Sequence, residues 1–199
     1  MVYFFSDVHL GLGSRESDRK REQLLLRFLD AIAPDCERLV IVGDLFDYWF
    51  EYSSVTPKYF FRTLAALADL RERGIVIEYV MGNHDFGHQD FFEKELDIPI
   101  HHNDISLTLN GKKFFIAHGD GKAYNDTGYL ILRAILRNKL SIKLFQWLHP
   151  DFGIWLASGS SHASRMYTDE KDYSERDGLR DFAEKKINEG YDYVIMGHR

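Results

Sequence analysis

The chain is 199 residues long, 45% hydrophobic and 15% aromatic, which suits one globular domain with a substantial core. Its 25 basic residues stand against 31 acidic ones, and a net charge of −6 argues against a general nucleic-acid binder held by phosphate neutralisation. The single cysteine, Cys36, excludes an internal disulfide; no apolar run reaches spanning length and residues 1–7 lack a signal-peptide pattern, so the expected setting is the cytoplasm.

In chain order, residues 2–6 read as a buried strand. The apolar face Leu24, Leu25, Phe28, Leu29 and Ile32 predicts a helix stopped by Pro34, and residues 39–42 predict a second strand. Thr56 is the expected cap of the next helix, with Pro57 at its first position and Gly74 closing it. Phe60, Phe61, Leu64 and Leu67 are its expected inward face. Residues 75–80 form a third strand run, and a weaker run at 105–109 joins residues 113–117 through Asn110-Gly111, a strong hairpin signal. A helix over 174–188 ending at Gly190 and a strand over 193–196 complete an α/β alternation with an added antiparallel hairpin.

Residues 122–167 break this rhythm. They hold six basic residues against Asp126 and Asp151, a net of +4, together with a dense set of Leu, Ile, Phe and Trp. This predicts an inserted helical cap over 122–167, on a core made of 1–121 and 168–199.

The strand ends carry the chemistry. Residues 2–6 lead into Asp7-Val8-His9, 39–42 into Gly43-Asp44, and 75–80 into Asn83-His84-Asp85. Residues 113–117 are followed by His118, and 193–196 by Gly197-His198. Ligands of α/β sheets bind at the carboxyl ends of strands, so these side chains are expected along one edge. Mixed carboxylate and imidazole ligation suits Mn²⁺, Fe²⁺ or Zn²⁺, and one carboxylate can bridge two cations for displacement at phosphorus. Each piece alone has a bland reading as a turn or a structural histidine; five strand ends together do not. His88, His101 and His102 lack partners at ligand spacing and are read as surface residues, and Asp151-Phe152-Gly153, Gly11-x-Gly13 and Ser160-Ser161-His162 as turns or helix ends.

Asp7-x-His9, Gly43-Asp44-x-x-Asp47, Gly82-Asn83-His84-Asp85, His118 and Gly197-His198 resemble the signature of the calcineurin-like metallophosphoesterases. The resemblance implies two packed mixed β-sheets flanked by helices. It implies two divalent cations, Mn²⁺ foremost, with Asp44 bridging, Asp7 and His9 on one, and Asn83, His118 and His198 on the other. His84 would protonate the leaving oxygen with Asp85 orienting it, a metal-bridging hydroxide would attack phosphorus, and Asp47 would fix a ligand or His84.

Within that family, the stretch from His118 through Asp126, Tyr129 and Arg133, and the region from Trp147 to Ser164-Arg165, resemble the UDP-2,3-diacylglucosamine hydrolases. That implies a lipid-linked nucleotide-sugar substrate, with Asp126 and Tyr129 on the sugar and Arg133 and Ser164 near phosphate or glucosamine. It further implies a protein peripheral at an anionic membrane surface, cap first. A phosphoesterase of soluble nucleotides or phosphoproteins and a non-catalytic scaffold of the same fold are the alternatives. The best-known branch carries Arg where this chain has His84. The family motif is Gly-His-x-His, so the sequence ending at Arg199 is expected to be a truncated one with reduced affinity at the first metal.

Overall fold

The strands bury their two faces against different partners, and that alternation sets the layers. The structure, a computed structural model, describes residues 1–122, 127–155 and 178–198. In chain order its elements are β1 (Val2–Phe5), α1 (Arg15–Ile32), β2 (Arg38–Val42), α2 (Phe61–Glu72), β3 (Val76–Val80), α3 (Phe91–Glu95) and β4 (Ile100–His101). They continue with β5 (Ile105–Leu109), β6 (Lys112–Ala117), α4 (Thr127–Leu136), α5 (Lys139–Gln146), α6 (Leu179–Asn188) and β7 (Tyr193–Met196). Residues 150–155 are also helical.

One sheet has the order β1-β2-β3-β4 and is parallel throughout; the other, β5-β6-β7, is mixed. On β2, Leu39 and Ile41 pack with Leu25 and Leu29 of α1 and Leu67 of α2. Their neighbours Val40 and Val42 turn the other way, onto Ile116 of the second sheet. The second sheet's outer face takes α6, where Phe182 meets Phe115 at 5.8 Å between ring centroids and Lys186 lies over the Phe115 ring. The result is a helix–sheet–sheet–helix stack, as expected, except that the first sheet is parallel rather than mixed among the described residues. Asn110 (φ 50°) and Gly111 (φ 75°) make the two-residue turn between β5 and β6, both in the left-handed region.

Further expectations fail. Leu24, expected on the inward face of α1, points outward at 63% exposure. Helix α2 starts at Phe61, not beside Thr56 and Pro57, because Phe60 turns into the left-handed region (φ 63°) and lays its ring on Phe46. Phe61 consequently points outward at 66% exposure, and the inward face is Thr63, Leu67 and Leu70. His88 is not a surface residue; it is buried among Trp49, Tyr79 and Phe92. Elements α3 and β4 are too short to leave a periodic signal, and the expected first turn of α6 at 174–177 lies outside the described residues. Among the described residues, no helix is long and apolar enough to cross a membrane.

Candidate metal centre

The segments leaving β1 and β2 stay zipped beyond the strands. Asp7 N–H donates to Gly43 O (3.2 Å), His9 N–H to Asp44 O (3.0 Å) and Asp47 N–H to Leu10 O (2.9 Å). Asp7 and His9 are thereby laid beside Asp44 and Asp47. Arg21 of α1 donates to His9 O (3.0 Å) while pairing with Asp18, which fixes that segment from behind. His198, leaving β7, donates its N–H to the Asp7 carboxylate at 3.0 and 3.2 Å. His84, beyond β3, donates its N–H to Asp44 Oδ1 (2.9 Å).

Four of these residues hold positive φ: Asp7 (55°), His9 (48°), Asp44 (53°) and His198 (65°). Such conformations cost about 1–3 kcal/mol each and persist where packing over-determines them. Two glycines allow the approach. A β-carbon on Gly43 would run into the His118 ring, and one on Gly82 into the Asp44 carboxylate.

Asp44 sits at the centre. Its Oδ2 is buried and accepts no hydrogen bond, lying 3.2 Å from His118 Nε2 and 3.8 Å from His9 Nε2. Two groups of ligand atoms, each within 4.8 Å of one another, share it: His9, Asp44 and His84, and Asp44, His118 and His198. His118 Nδ1 donates to Val42 O (2.9 Å), which fixes the tautomer and aims Nε2 at Asp44 and at Asn83 Oδ1, 2.9 Å away. Burial alone would lower the His118 pKa, but Asp44 and the Val42 carbonyl hold it up at about 9. Burial opposes ionisation of Asp44 too, and His118 and His84 overcome it. The Asp7 carboxyl, also disfavoured by burial, is held at about 2 by His9, Ser6, the His118 charge and the His198 N–H. Burial and the His118 charge push His198 down. A protonated imidazole nitrogen between the Asp44 carboxylate and the Asn83 amide oxygen, beside an orphaned carboxylate oxygen, is a place that fits a divalent cation.

The structure therefore brings together Asp7, His9, Asp44, Asp47, Asn83, His84, His118 and His198. Asp85 belongs elsewhere. It is fully buried and accepts from Leu45 N–H (3.0 Å), Gly82 N–H (2.8 Å) and the Tyr79 hydroxyl. It thus ties the segment carrying Asn83 to the segment carrying Asp44. The group at the His84 ring is Asp47, whose carbonyl lies 3.2 Å and whose Oδ1 lies 3.5 Å from Nδ1. Arg133 is bound to Asp120 at 2.8 Å. Tyr129 lies on α4, and Asp126 and Ser164 fall outside the described residues.

Sequence reasoning missed Asp120 and Arg137. Arg137 donates to Gly82 O (2.8 Å), and with Arg133 one helical turn away it ties α4 to the segments after β3 and β6. The i, i+4 pair of arginines was the available signal.

A family model described as Calcineurin-like phosphoesterase matches residues 1–199. The UDP-2,3-diacylglucosamine hydrolase of Porphyromonas gingivalis is 37% identical over 166 residues, covering 82% of this chain and 63% of that one. Proteins of the same name from Haemophilus influenzae and Neisseria meningitidis are 28% and 31% identical, over 98% and 99% of this chain and 81% of each relative. The chain thus spans just under two thirds of the first relative and about four fifths of the others.

Proposed function

This chain belongs to the calcineurin-like phosphoesterase family, and from that premise we propose that it hydrolyses the pyrophosphate of UDP-2,3-diacylglucosamine to UMP and 2,3-diacylglucosamine 1-phosphate. One observation carries the phosphoesterase chemistry: Asp44 is common to two clusters of metal-type ligand atoms. The substrate class is supported by the names of its relatives.

In this reading Asp7 and His9 would hold one divalent cation, Asn83, His118 and His198 the other, and Asp44 would serve both. The donor set suits Mn²⁺, with Fe²⁺ and Zn²⁺ as alternatives. When bound, such ions offset charge on the phosphoryl oxygens and make water a nucleophile at neutral pH. His84 supplies the acid. Asp47 fixes the ring through Nδ1, so Nε2 delivers its proton to the leaving oxygen. Asp85 keeps the Asn83–His84 segment at a fixed distance from Asp44 through the Leu45 and Gly82 amides.

Residues 122–167 act as a cap over the glucosamine half of the substrate, with Asp126, Tyr129 and Ser164 on the sugar or phosphate. Arg133 and Arg137 bind the cap to the core through Asp120 and Gly82. Leu140, Leu144 and Trp147 (87% exposed) stand outward beside Lys139 and Lys143. An apolar face with cations at its edge suits acyl chains and an anionic lipid surface, so the protein works as a peripheral one at the cytoplasmic membrane face.

Release of UMP from UDP-2,3-diacylglucosamine on addition of Mn²⁺ to the metal-stripped protein tests the proposal. Hydrolysis of aryl phosphate esters without release of UMP would favour soluble substrates, and hydrolysis of neither would favour a scaffold.

A further inference from the structure

A cavity of about 390 Å³ opens between the start of α1 and the segment that precedes α2. It shares the Asp47 wall with the metal centre, so it lies next to the scissile position yet takes no part in the metal chemistry. Its size is within the range of small-molecule sites. The walls are aromatic: Tyr48 from the segment after β2, and Tyr59 and Phe60 from the segment leading into α2, backed by Trp49, which is itself buried and stacked on Phe46 and His88.

The lining is not that of a hydrocarbon slot. Arg15 and Arg19, one helical turn apart on α1, line it as exposed residues and make no hydrogen bond or ion pair among the described residues. The three carboxylates of the lining are already engaged, Asp18 by Arg21 and the Gly13 N–H, Glu22 by Thr63, and Asp47 by His9 and His84. The buried Tyr48 hydroxyl sits against the Tyr52 hydroxyl. Lys58 and Arg62 lie over the Tyr59 and Phe61 rings at the same lip.

Flat π-faces and two uncommitted guanidiniums match a nucleoside monophosphate better than an acyl chain. Bases stack on aromatic faces whatever their identity, and arginine meets phosphate oxygens as a fork. From this juxtaposition we infer that the cavity receives the nucleoside half of the substrate, with the base between the aromatic walls and Arg15 and Arg19 at the phosphate. The inference rests on the pyrophosphate hydrolase reading and extends it: the nucleoside half lies toward α1, with Ile154 of residues 122–167 closing one side of its site.

The test is photocrosslinking of 4-thiouridine 5′-monophosphate to the Mn²⁺-loaded protein, mapped by mass spectrometry. Labelling within residues 46–61 that unlabelled UMP displaces is the expected result. The Arg15→Ala/Arg19→Ala double variant, changed only at exposed positions, should melt like the wild type and bind UMP about tenfold more weakly by calorimetry. Labelling confined to other segments, or unchanged UMP affinity in the double variant, overturns the inference. So does labelling of residues 46–61 by a photoreactive decanoyl ester that UMP fails to displace, because the cavity then belongs to an acyl chain. Failure of the wild-type protein to hydrolyse bis(p-nitrophenyl) phosphate with Mn²⁺ would instead count against the phosphoesterase reading, and the crosslinking answers separately from it.

Discussion

Replacing Asp85 by Asn separates two roles for this carboxylate. In the structure it is fully buried and takes three donors: the Gly82 amide on Oδ1, and the Leu45 amide and Tyr79 hydroxyl on Oδ2. Asparagine keeps one oxygen and presents an NH₂ where the other was, so one backbone N–H faces a donor. A buried donor left unsatisfied costs about 1–3 kcal/mol, and the charge-assisted strength of the remaining bonds falls as well. The expected loss is about 3 kcal/mol, which lowers the melting temperature by roughly 6–12 °C for a domain of this size. Melts in EDTA measure this without metal. Mn²⁺ affinity should fall by about tenfold, because Asn83 sits on the loosened segment. Tyr79→Phe should cost about 1 kcal/mol in the wild type and less in the Asp85→Asn background, since the two share a bond. If Asp85→Asn leaves the melt and the Mn²⁺ affinity unchanged while turnover collapses, Asp85 serves His84 directly and does not act as a tie between the two segments.

Glu51 governs acid stability. Burial opposes its ionisation, but His88, the Trp49 indole N–H and the Phe91 amide hold its pKa at about 2. A folded value below the unfolded one, near 4.3, contributes stability that is present above about pH 5 and lost as pH falls toward 2. About 3 kcal/mol should disappear over that window, and Glu51→Gln should be less stable at pH 7 with a flatter profile below pH 5; superimposable acid-unfolding curves would contradict this. His84→Ala should lower turnover by about 10²–10⁴-fold while calorimetry still finds Mn²⁺ bound, and unchanged turnover would remove His84 from the chemistry. Trp147→Ser with Leu144→Ser should weaken binding to anionic vesicles without moving the melt, and equal vesicle binding would separate the cap from the membrane.

The sequence exposed the strands most clearly. An apolar run ending in a polar ligand is visible at β1, β2, β3, β6 and β7, most clearly at β2, which is buried on both faces between the helices and the second sheet. The Asn110-Gly111 turn was legible for a similar reason, since few residue pairs take two positive φ values. What escaped was set by tertiary packing. His84 and Asp85 are adjacent in the chain, which suggests a pair, yet the fold aims one carboxylate at Leu45 and Gly82 and leaves Asp47 to reach the ring. His88 has no ligand spacing because it packs among aromatic rings beside Glu51. The start of α2 moved because the Phe60 ring finds Phe46, a contact that outweighs the local signal of Thr56-Pro57. In the sequence Arg133 reads as a cation for phosphate; in the fold Asp120, 13 residues earlier, takes it.

Every step of the proposed chemistry depends on Asp44 serving two ions at once. Anomalous diffraction from crystals grown with Mn²⁺ tests this directly. Two peaks are predicted, one beside His9 and one beside His118, each within coordination distance of an Asp44 oxygen, and both absent from Asp44→Ala crystals. A single peak out of reach of Asp44, or two peaks that survive its removal, would contradict it.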